Sequence, residues 1–170
     1  MRRRKAFYSF HYKPDCTRAS LVRNIGVIEG NAPVSDNDWE AIARGGDKAI
    51  QKWIDQQLRG CSCAIVLVGQ HTARRKWIDY EIKKSWDEGK GVFGIYIHRL
   101  KNIQGEQAVK GKNPFDHIKI PGLFFERNLA NIAKVYEPPH RDSKKVYKYI
   151  SDHISDWIDE AISIRSDLYL

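Results

Sequence analysis

Ala64-Ile-Val-Leu-Val68 is the most apolar strand-like stretch of the chain, the centre of a continuous apolar run from Cys61 to Gly69. An alternating pattern would mark a strand with one wet face. An unbroken one marks a parallel strand covered on both faces. Directly after it, Trp77-Ile-Asp-Tyr-Glu81 opens a helical pattern that ends near Gly89. At about 100° per residue, Trp77, Glu81 and Ser85 share one strip beside the apolar stripe of Ile78, Ile82 and Trp86. Glu81 therefore falls on the shoulder of the buried face, where a carboxylate is partly desolvated yet can reach a ligand at the sheet edge. The plainer reading is a packed Trp and a surface Glu paired with Arg74, Lys83 or Lys84.

Outward from this pair, Val92-Phe-Gly-Ile-Tyr-Ile97 reads as another central strand and Ala6-Phe-Tyr-Ser-Phe-His11 as the first strand. A helix is expected from about Asp15 to Asn24, with Leu21, Val22 and Ile25 inward. Asn31 to Trp39 carries Pro, Asn and Asp in succession and reads as a turn-rich loop with a short edge strand around Val34. Gly45-Gly46-Asp47 predicts a loop and cap. Ile50, Trp53, Ile54 and Leu58 then form an amphipathic helix closed by Gly60. Thr72 is the expected cap of the Trp77/Glu81 helix. Leu100 to Lys119 is an irregular excursion of the kind that carries function or mobility. Lys134-Val-Tyr136 predicts the last strand, stopped by Pro138-Pro139. A long helix capped by Asp142 or Ser143 follows, its stripe running through Val146, Ile150, Ile154, Trp157, Ile158, Ala161 and Ile162.

Strands alternating with helices predict a doubly wound α/β fold, flavodoxin-like, with a mostly parallel sheet of about five strands in the order 2-1-3-4-5. One domain over residues 1–170 is expected, since 170 residues with 42% hydrophobic content supply a single core. Ligands of such folds sit beyond the carboxyl ends of the strands, here Ser9-Phe10-His11, Gly69-Gln70-His71 and Ile97-His98-Arg99.

No apolar run approaches the roughly 18 residues of a membrane span, and Met-Arg-Arg-Arg-Lys leads into a strand without a signal-peptide core. A soluble, cytoplasmic protein without membrane contact is the expectation. Three cysteines, with Cys61-Ser-Cys63 too closely spaced for a comfortable bridge, and six scattered histidines predict neither disulfide nor metal site. The net charge of +8 is spread along the chain, which weighs against nucleic acid and suits an anionic small molecule such as a dinucleotide. Several chemistries are excluded. Gly69-Gln70 and Ser9-Phe10 stand where a phosphoacceptor receiver needs its aspartates. Neither a phosphate-binding glycine loop nor Gly-x-Ser-x-Gly occurs. Asp79-x-Glu81-x-Lys83 imitates a nuclease constellation, but on a helix Asp79 and Glu81 point about 200° apart.

Phe7-Tyr-Ser-Phe-His11 resembles the first-strand box of TIR domains, and Trp77-x-x-x-Glu81 the Trp-x-x-x-Glu of their enzymatic members. Arg23 to Gly30, Val34 to Trp39, Trp77 to Trp86, Gly94 to His98 and Asn113 to Asp116 are similar to the prokaryotic TIR-like family that includes the sensor component of the Thoeris anti-phage system. The likeness runs over residues 5–118, with 119–170 completing the sheet and adding the long helix. The resemblance implies a flavodoxin-like fold acting on NAD⁺ as substrate, with no separate cofactor. It implies Glu81 as the catalytic residue at the nicotinamide ribose. It further implies a cyclic ADP-ribose-type product made after a phage-derived trigger and read by a partner effector, with self-assembly as an open property. Two features depart from the family: Arg4-Lys5 replaces the usual acidic residue before the first-strand box, and Val34 to Trp39 replaces the loop of adaptor TIR domains.

Cleaving the bond from ribose C1 to nicotinamide builds oxocarbenium character, which one placed carboxylate can stabilise. Ser9, Phe10 and His11 at the first-strand end, Asp36 and Asn37 in the following loop, and Trp77 beside Glu81 are the substrate-binding candidates. Phe10, Trp39 and Trp77 are the aromatics suited to stacking a base, though aromatics at such positions also serve simply as core. The competing readings are a TIR-like interaction module without chemistry and a sensor that holds a nucleotide uncleaved.

Overall fold

The computed structural model describes residues 4–25, 28–30 and 36–168, with the side chains of 28–30 and 36–38 outside that description. The elements in chain order are β1 (Arg4–Ser9), α1 (Tyr12–Arg23), β2 (Ile28–Gly30), α2 (Asp36–Arg44), α3 (Asp47–Leu58), β3 (Cys63–Val68), α4 (Lys76–Asp87) and β4 (Gly91–Tyr96). After a long irregular segment come β5 (Lys119–Ile120), β6 (Arg127–Asn128), a 3₁₀ turn at Leu129–Asn131, β7 (Val135–Tyr136) and α5 (Ser143–Asp167). All six residues of β3 and all six of β4 are buried, as an unbroken apolar run requires. The main sheet has the order β2-β1-β3-β4-β7, and every pairing is parallel. This is the 2-1-3-4-5 order read from the sequence, with β7 in fifth place.

Alternate side chains along β3 enter opposite layers. Cys63, Ile65 and Leu67 join Ala6, Tyr8, Phe93 and Ile95 beneath α1 and the stripe of α5. Ala64, Val66 and Val68 face the other way, against Ile78, Ile82 and Trp86 of α4 and against Phe115, Ile118, Ile120 and Leu129. A third cluster seats Ile50, Ile54 and Leu58 of α3 on Phe7, flanked by Trp39, Trp53 and Trp77. The final helix is capped as expected, Asp142 Oδ1 accepting from the Lys145 amide at 3.0 Å.

Two local expectations, the loop through Trp39 and the Thr72 cap, need correction, and two short elements add to the reading. Residues from Asp36 onward form α2 rather than continuing a loop; aspartates favour turns, but they equally favour a helix first turn, and Trp39 and Ile42 find a packing partner in α3. The observed edge strand is Ile28–Gly30, while Val34 lies outside the described residues. Thr72 does not cap α4, whose N-cap is Arg75; its hydroxyl instead accepts from the Gly69 amide at 2.8 Å, closing the turn after β3. The antiparallel hairpin of β5 and β6 has strands too short to leave a pattern in sequence.

Two buried arginines tie the elements together. Arg165 of α5, 2% exposed, directs Nε and Nη2 at the Trp86 carbonyl at 3.0 and 2.9 Å, satisfying a carbonyl in the last turn of α4. Arg18 of α1 bonds Asp15 Oδ1 at 3.0 Å, the Pro14 carbonyl at 3.1 Å, the Leu100 carbonyl at 2.7 Å and the Glu106 carbonyl at 2.8 Å. Asp15 and Arg18 are both buried, so their pairing clamps the segment after β4 onto the start of α1.

Burial raises the Asp15 carboxyl above its ordinary value even with Arg18 bonded to it. Arg18→Met leaves that acid unpaired and should lower unfolding stability by about 3–5 kcal/mol at pH 8. Without Arg18 the folded-state value climbs further, so the folded variant prefers the protonated acid and loses stability as pH rises past the ordinary carboxylate range. Urea midpoints should therefore show a smaller defect at pH 5 than at pH 8.

Candidate active site

The carboxyl ends of β1 and β3 open into a cavity of about 940 Å³ lined by Phe10, His11, Trp39, Trp53, Trp77 and Glu81 among others, near the upper end of the roughly 300–1,000 Å³ typical of small-molecule sites. Its walls come from the end of β1 and the start of α1, from the turn between β3 and α4, from α4, and from one residue each of α2, α3 and the irregular segment after β4. This is the switch point of the sheet, where β1 sends its connection to one side and β3 to the other.

Glu81 lies in the second turn of α4, half-buried. The Ser9 hydroxyl donates to its Oε2, and the Ser85 hydroxyl donates to its backbone carbonyl at 2.6 Å. Burial pushes the Glu81 carboxyl up to about 8, against the smaller opposing effect of the Ser9 bond. The single hydrogen bond from Ser9 does not offset the desolvation of the carboxylate, and it holds its proton at neutral pH.

Ser9 is 1% exposed and its hydroxyl is engaged by Glu81, so it supports the carboxylate rather than forming wall. His11 lines the cavity; burial, then the charges of Arg75 and His71, push it down to about 4. It is therefore neutral at physiological pH, and its buried Nδ1 has no hydrogen-bond partner among the described residues. Phe10 stacks on Tyr12 with the rings inclined by 29° and their centroids 6.2 Å apart.

Trp39 and Trp53, which also line the cavity, meet edge to face at 6.1 Å. Trp77 meets Tyr80 the same way at 5.8 Å, and Tyr80 donates to Asp55 Oδ1 at 2.8 Å. That bond ties α4 to α3 and holds Trp77 between them. The sequence pointed to Trp39 and Trp77 for stacking but read Trp53 as helix core. Its i, i+3 spacing from Ile50 was sound; the missing information was that Trp39 of α2 meets it at the cavity. Asp36 and Asn37 begin α2, and their side chains lie outside the described residues.

The basic lining was also missed: Lys13, Arg74, Arg75, Lys76 and Lys112 surround the cavity, and among the described residues Glu81 is the sole acidic one that lines it. Arg74-Arg75-Lys76 is a basic run plain in the sequence, but Lys13 and Lys112 lie far from it along the chain, and no sequence pattern joins the three segments. Arg74 adopts φ 68°, the left-handed region, which costs a non-glycine residue about 1–2 kcal/mol. Such strain persists where surrounding structure imposes it; here the turn is pinned by Thr72 and by the Arg75 Nε bond to the His71 carbonyl at 2.8 Å. Among the described residues no group of three or more His, Cys, Asp or Glu is placed to hold a metal, and no helix is long and apolar enough to cross a membrane. Cys16, Cys61 and Cys63 form no disulfide.

A desolvated carboxylic acid, a neutral imidazole, facing aromatics and a basic rim suit a ligand that combines bases with anionic groups. The family model for the TIR-like domain of Thoeris protein ThsB matches residues 7–102, a span that includes β1, β3, α4 and every cavity residue except Lys112. A curated relative from Bacillus cereus (strain MSX-D12), named "Putative cyclic ADP-D-ribose synthase ThsB1", is 37% identical over 120 residues, which make up 68% of this chain and 62% of the relative. By this match the chain belongs to the TIR-like family of Thoeris ThsB proteins.

Proposed function

We propose that the protein cleaves the nicotinamide–ribose bond of NAD⁺ and makes a cyclic ADP-ribose-type signal in anti-phage defence. The observation that carries this reading is Glu81: a desolvated carboxyl, held by Ser9, at the wall of a dinucleotide-sized cavity. The name of the Bacillus relative, a cyclic ADP-D-ribose synthase, supports the product class. In this reading the trigger is phage-derived, a separate effector reads the product, and the work is done in the cytoplasm.

Nicotinamide leaves as a neutral base, so the departing group needs no proton from the protein. What develops is positive charge on the ribose, and Glu81 is the group placed to stabilise it. Its raised value sets a condition. Without substrate the carboxyl is protonated and offers little to a cation. The pyridinium of NAD⁺ is itself positive, and an adjacent positive charge favours the ionised carboxylate. Substrate therefore creates the charged form that the transition state requires. Ser9 acts as a positioning residue, orienting Oε2 and favouring ionisation. Trp39, Trp53, Trp77 and Phe10 supply faces for the two bases, and walls this apolar limit water at the reacting carbon. Restricting water favours closure onto the adenosine end over hydrolysis. His11, with Nδ1 unbonded, supplies one uncharged polar contact.

The direct test is mass spectrometry of nucleotides in phage-infected cells carrying wild type or Glu81→Gln. A new ADP-ribose-type product that falls by about 10²–10³ in the variant is expected. Product at the wild-type level in Glu81→Gln would overturn the assignment, and no product from folded wild type under infection would favour a non-catalytic module.

The value of about 8 makes two further expectations. Because the carboxylate is the active form, kcat/KM for NAD⁺ of the triggered protein should rise with pH and level off above about 8. Ser9→Ala should move that limb to higher pH. For stability the sign is opposite: the folded state keeps a proton that the unfolded chain releases near 4.5, so stability declines from about pH 4.5 to about pH 8. Glu81→Gln should flatten the dependence of Tm on pH across that window.

A further inference from the structure

The excursion between β4 and β5 was marked by its length and irregularity, and the chemistry of Glu81 leaves it unexplained. Residues 97–118 hold no regular helix or strand, yet they are pinned at many points. Leu100 and Glu106 carbonyls are bound by Arg18 at 2.7 and 2.8 Å. The Ala108 amide bonds the His98 carbonyl at 2.7 Å, and Asn102 Oδ1 accepts from the amides of Gln104 and Glu106 at 3.1 and 2.9 Å.

At its far end the segment crosses the end of β3 with no room for a side chain. A Cβ on Gly111 would lie 2.1 Å from the Gly69 carbonyl oxygen and 2.9 Å from that of Gln70. A Cβ on Gly69 would in turn lie 2.0 Å from Asp15 Oδ2. The start of α1, the end of β3 and the excursion are therefore stacked directly on one another. The residue that follows Gly111 is Lys112, and it lines the cavity.

Lys112 is not alone there. Of the five cationic residues lining the cavity, Arg75 is bonded to the His71 carbonyl, and Lys76 pairs with Asp47 at 2.5 Å while lying over the Trp77 ring. Lys13, Arg74 and Lys112 have no ion-pair partner among the described residues. They reach one concavity from three separate segments: the first turn of α1, the strained turn after β3, and the excursion. Three unpaired cations converging on a cavity that also holds stacking faces match a dianionic group joining two bases.

We propose that Lys13, Arg74 and Lys112 form the diphosphate subsite of this cavity, and that the excursion exists to deliver Lys112 to it. The proposal rests on the reading of the cavity as a dinucleotide site and adds how the substrate is held. A diphosphate anchored at the basic rim fixes the middle of the molecule while its two ends reach the aromatic walls. The ribose bearing nicotinamide can then meet Glu81. Gly111 is required because only a residue without a side chain can pass flat over Gly69 and Gln70. Lys112 contributes binding rather than bond cleavage.

The test uses the full chain, with ligand binding followed by calorimetry. ADP-ribose, inorganic pyrophosphate and nicotinamide riboside serve as probes, the last carrying the scissile bond without the diphosphate. Wild type is compared with Lys112→Ala, Lys112→Arg and Lys148→Ala, Lys148 being an exposed lysine of α5 away from the cavity. Lys112→Ala should weaken ADP-ribose and pyrophosphate about fivefold to tenfold, and the loss should shrink as salt is raised. Lys112→Arg should retain most of the affinity, Lys148→Ala all of it, and nicotinamide riboside should bind Lys112→Ala no more weakly than wild type. Unchanged ADP-ribose affinity in Lys112→Ala, or an equal loss for nicotinamide riboside, would overturn the diphosphate assignment while leaving the dinucleotide reading intact. Wild type that binds neither ADP-ribose nor NAD⁺ would remove the reading and the assignment together.

Discussion

The bond from the Ser9 hydroxyl to Glu81 is the contact through which sheet and site become one object. Glu81 can be desolvated only because α4 lies tight on β3 and against α3, and it can be held only because β1 ends beside it. Shifting α4 by a single turn would move the carboxyl about 5.4 Å and put it either into the apolar layer of Ile78, Ile82 and Trp86 or out into water. Several contacts prevent that shift. Arg165 holds the last turn of α4 through the Trp86 carbonyl, Tyr80 reaches Asp55 on α3, and Thr72 with Arg75 closes the turn before the helix. A lone hydroxyl does not offset the burial of a charge, and the carboxyl remains an acid at neutral pH. The chemistry proposed for it is conditional on the arrival of positive charge.

The opposite side of the cavity depends on a different economy of space. Asp15, Gly69 and Gly111 are layered so closely that neither glycine could carry a methyl group without displacing backbone or a buried carboxylate. Arg18 holds this stack together from beneath with bonds to Asp15 and to two carbonyls of the excursion. A long irregular loop is thereby given the rigidity of regular structure, using side-chain-to-backbone bonds in place of a ladder. Loops that place a binding residue need such support, because a mobile lysine would lose in ordering what it gained in attraction. The two halves of the site are thus secured separately, the carboxylate through α4 and the basic rim through α1 and the excursion.

Much of this was legible before any coordinates. Unbroken apolar runs at residues 64–68 and 92–97 announced buried parallel strands, and the stripe from Val146 to Ile162 announced the long helix, because burial on one face or two leaves a periodic trace. Glu81 was legible for the same reason: its strip on α4 follows from helical geometry. Other features left no trace or an ambiguous one. The aspartates from Asp36 suited a loop and a helix first turn equally, and packing against Trp53 decided for the helix. Thr72 had the chemistry of a cap but was taken by the Gly69 amide. The hairpin strands are two residues each, too short to show a period.

By itself the sequence determined the fold class, the order of the central strands, and the placement of one carboxylate at the shoulder of a helix beside the strand ends. These are consequences of local periodicity and of chain connectivity, both written in a linear string. Only the tertiary structure decided that Ser9 serves Glu81, that Trp53 joins Trp39 at the cavity, that Arg18 and Arg165 are buried ties, and that Lys13, Arg74 and Lys112 converge. Each of these is a meeting of residues from separate segments, with partner and distance set by how helices pack on the sheet. The desolvation that raises Glu81 belongs with them, since burial is a property of the assembled layers and of no single stretch of chain.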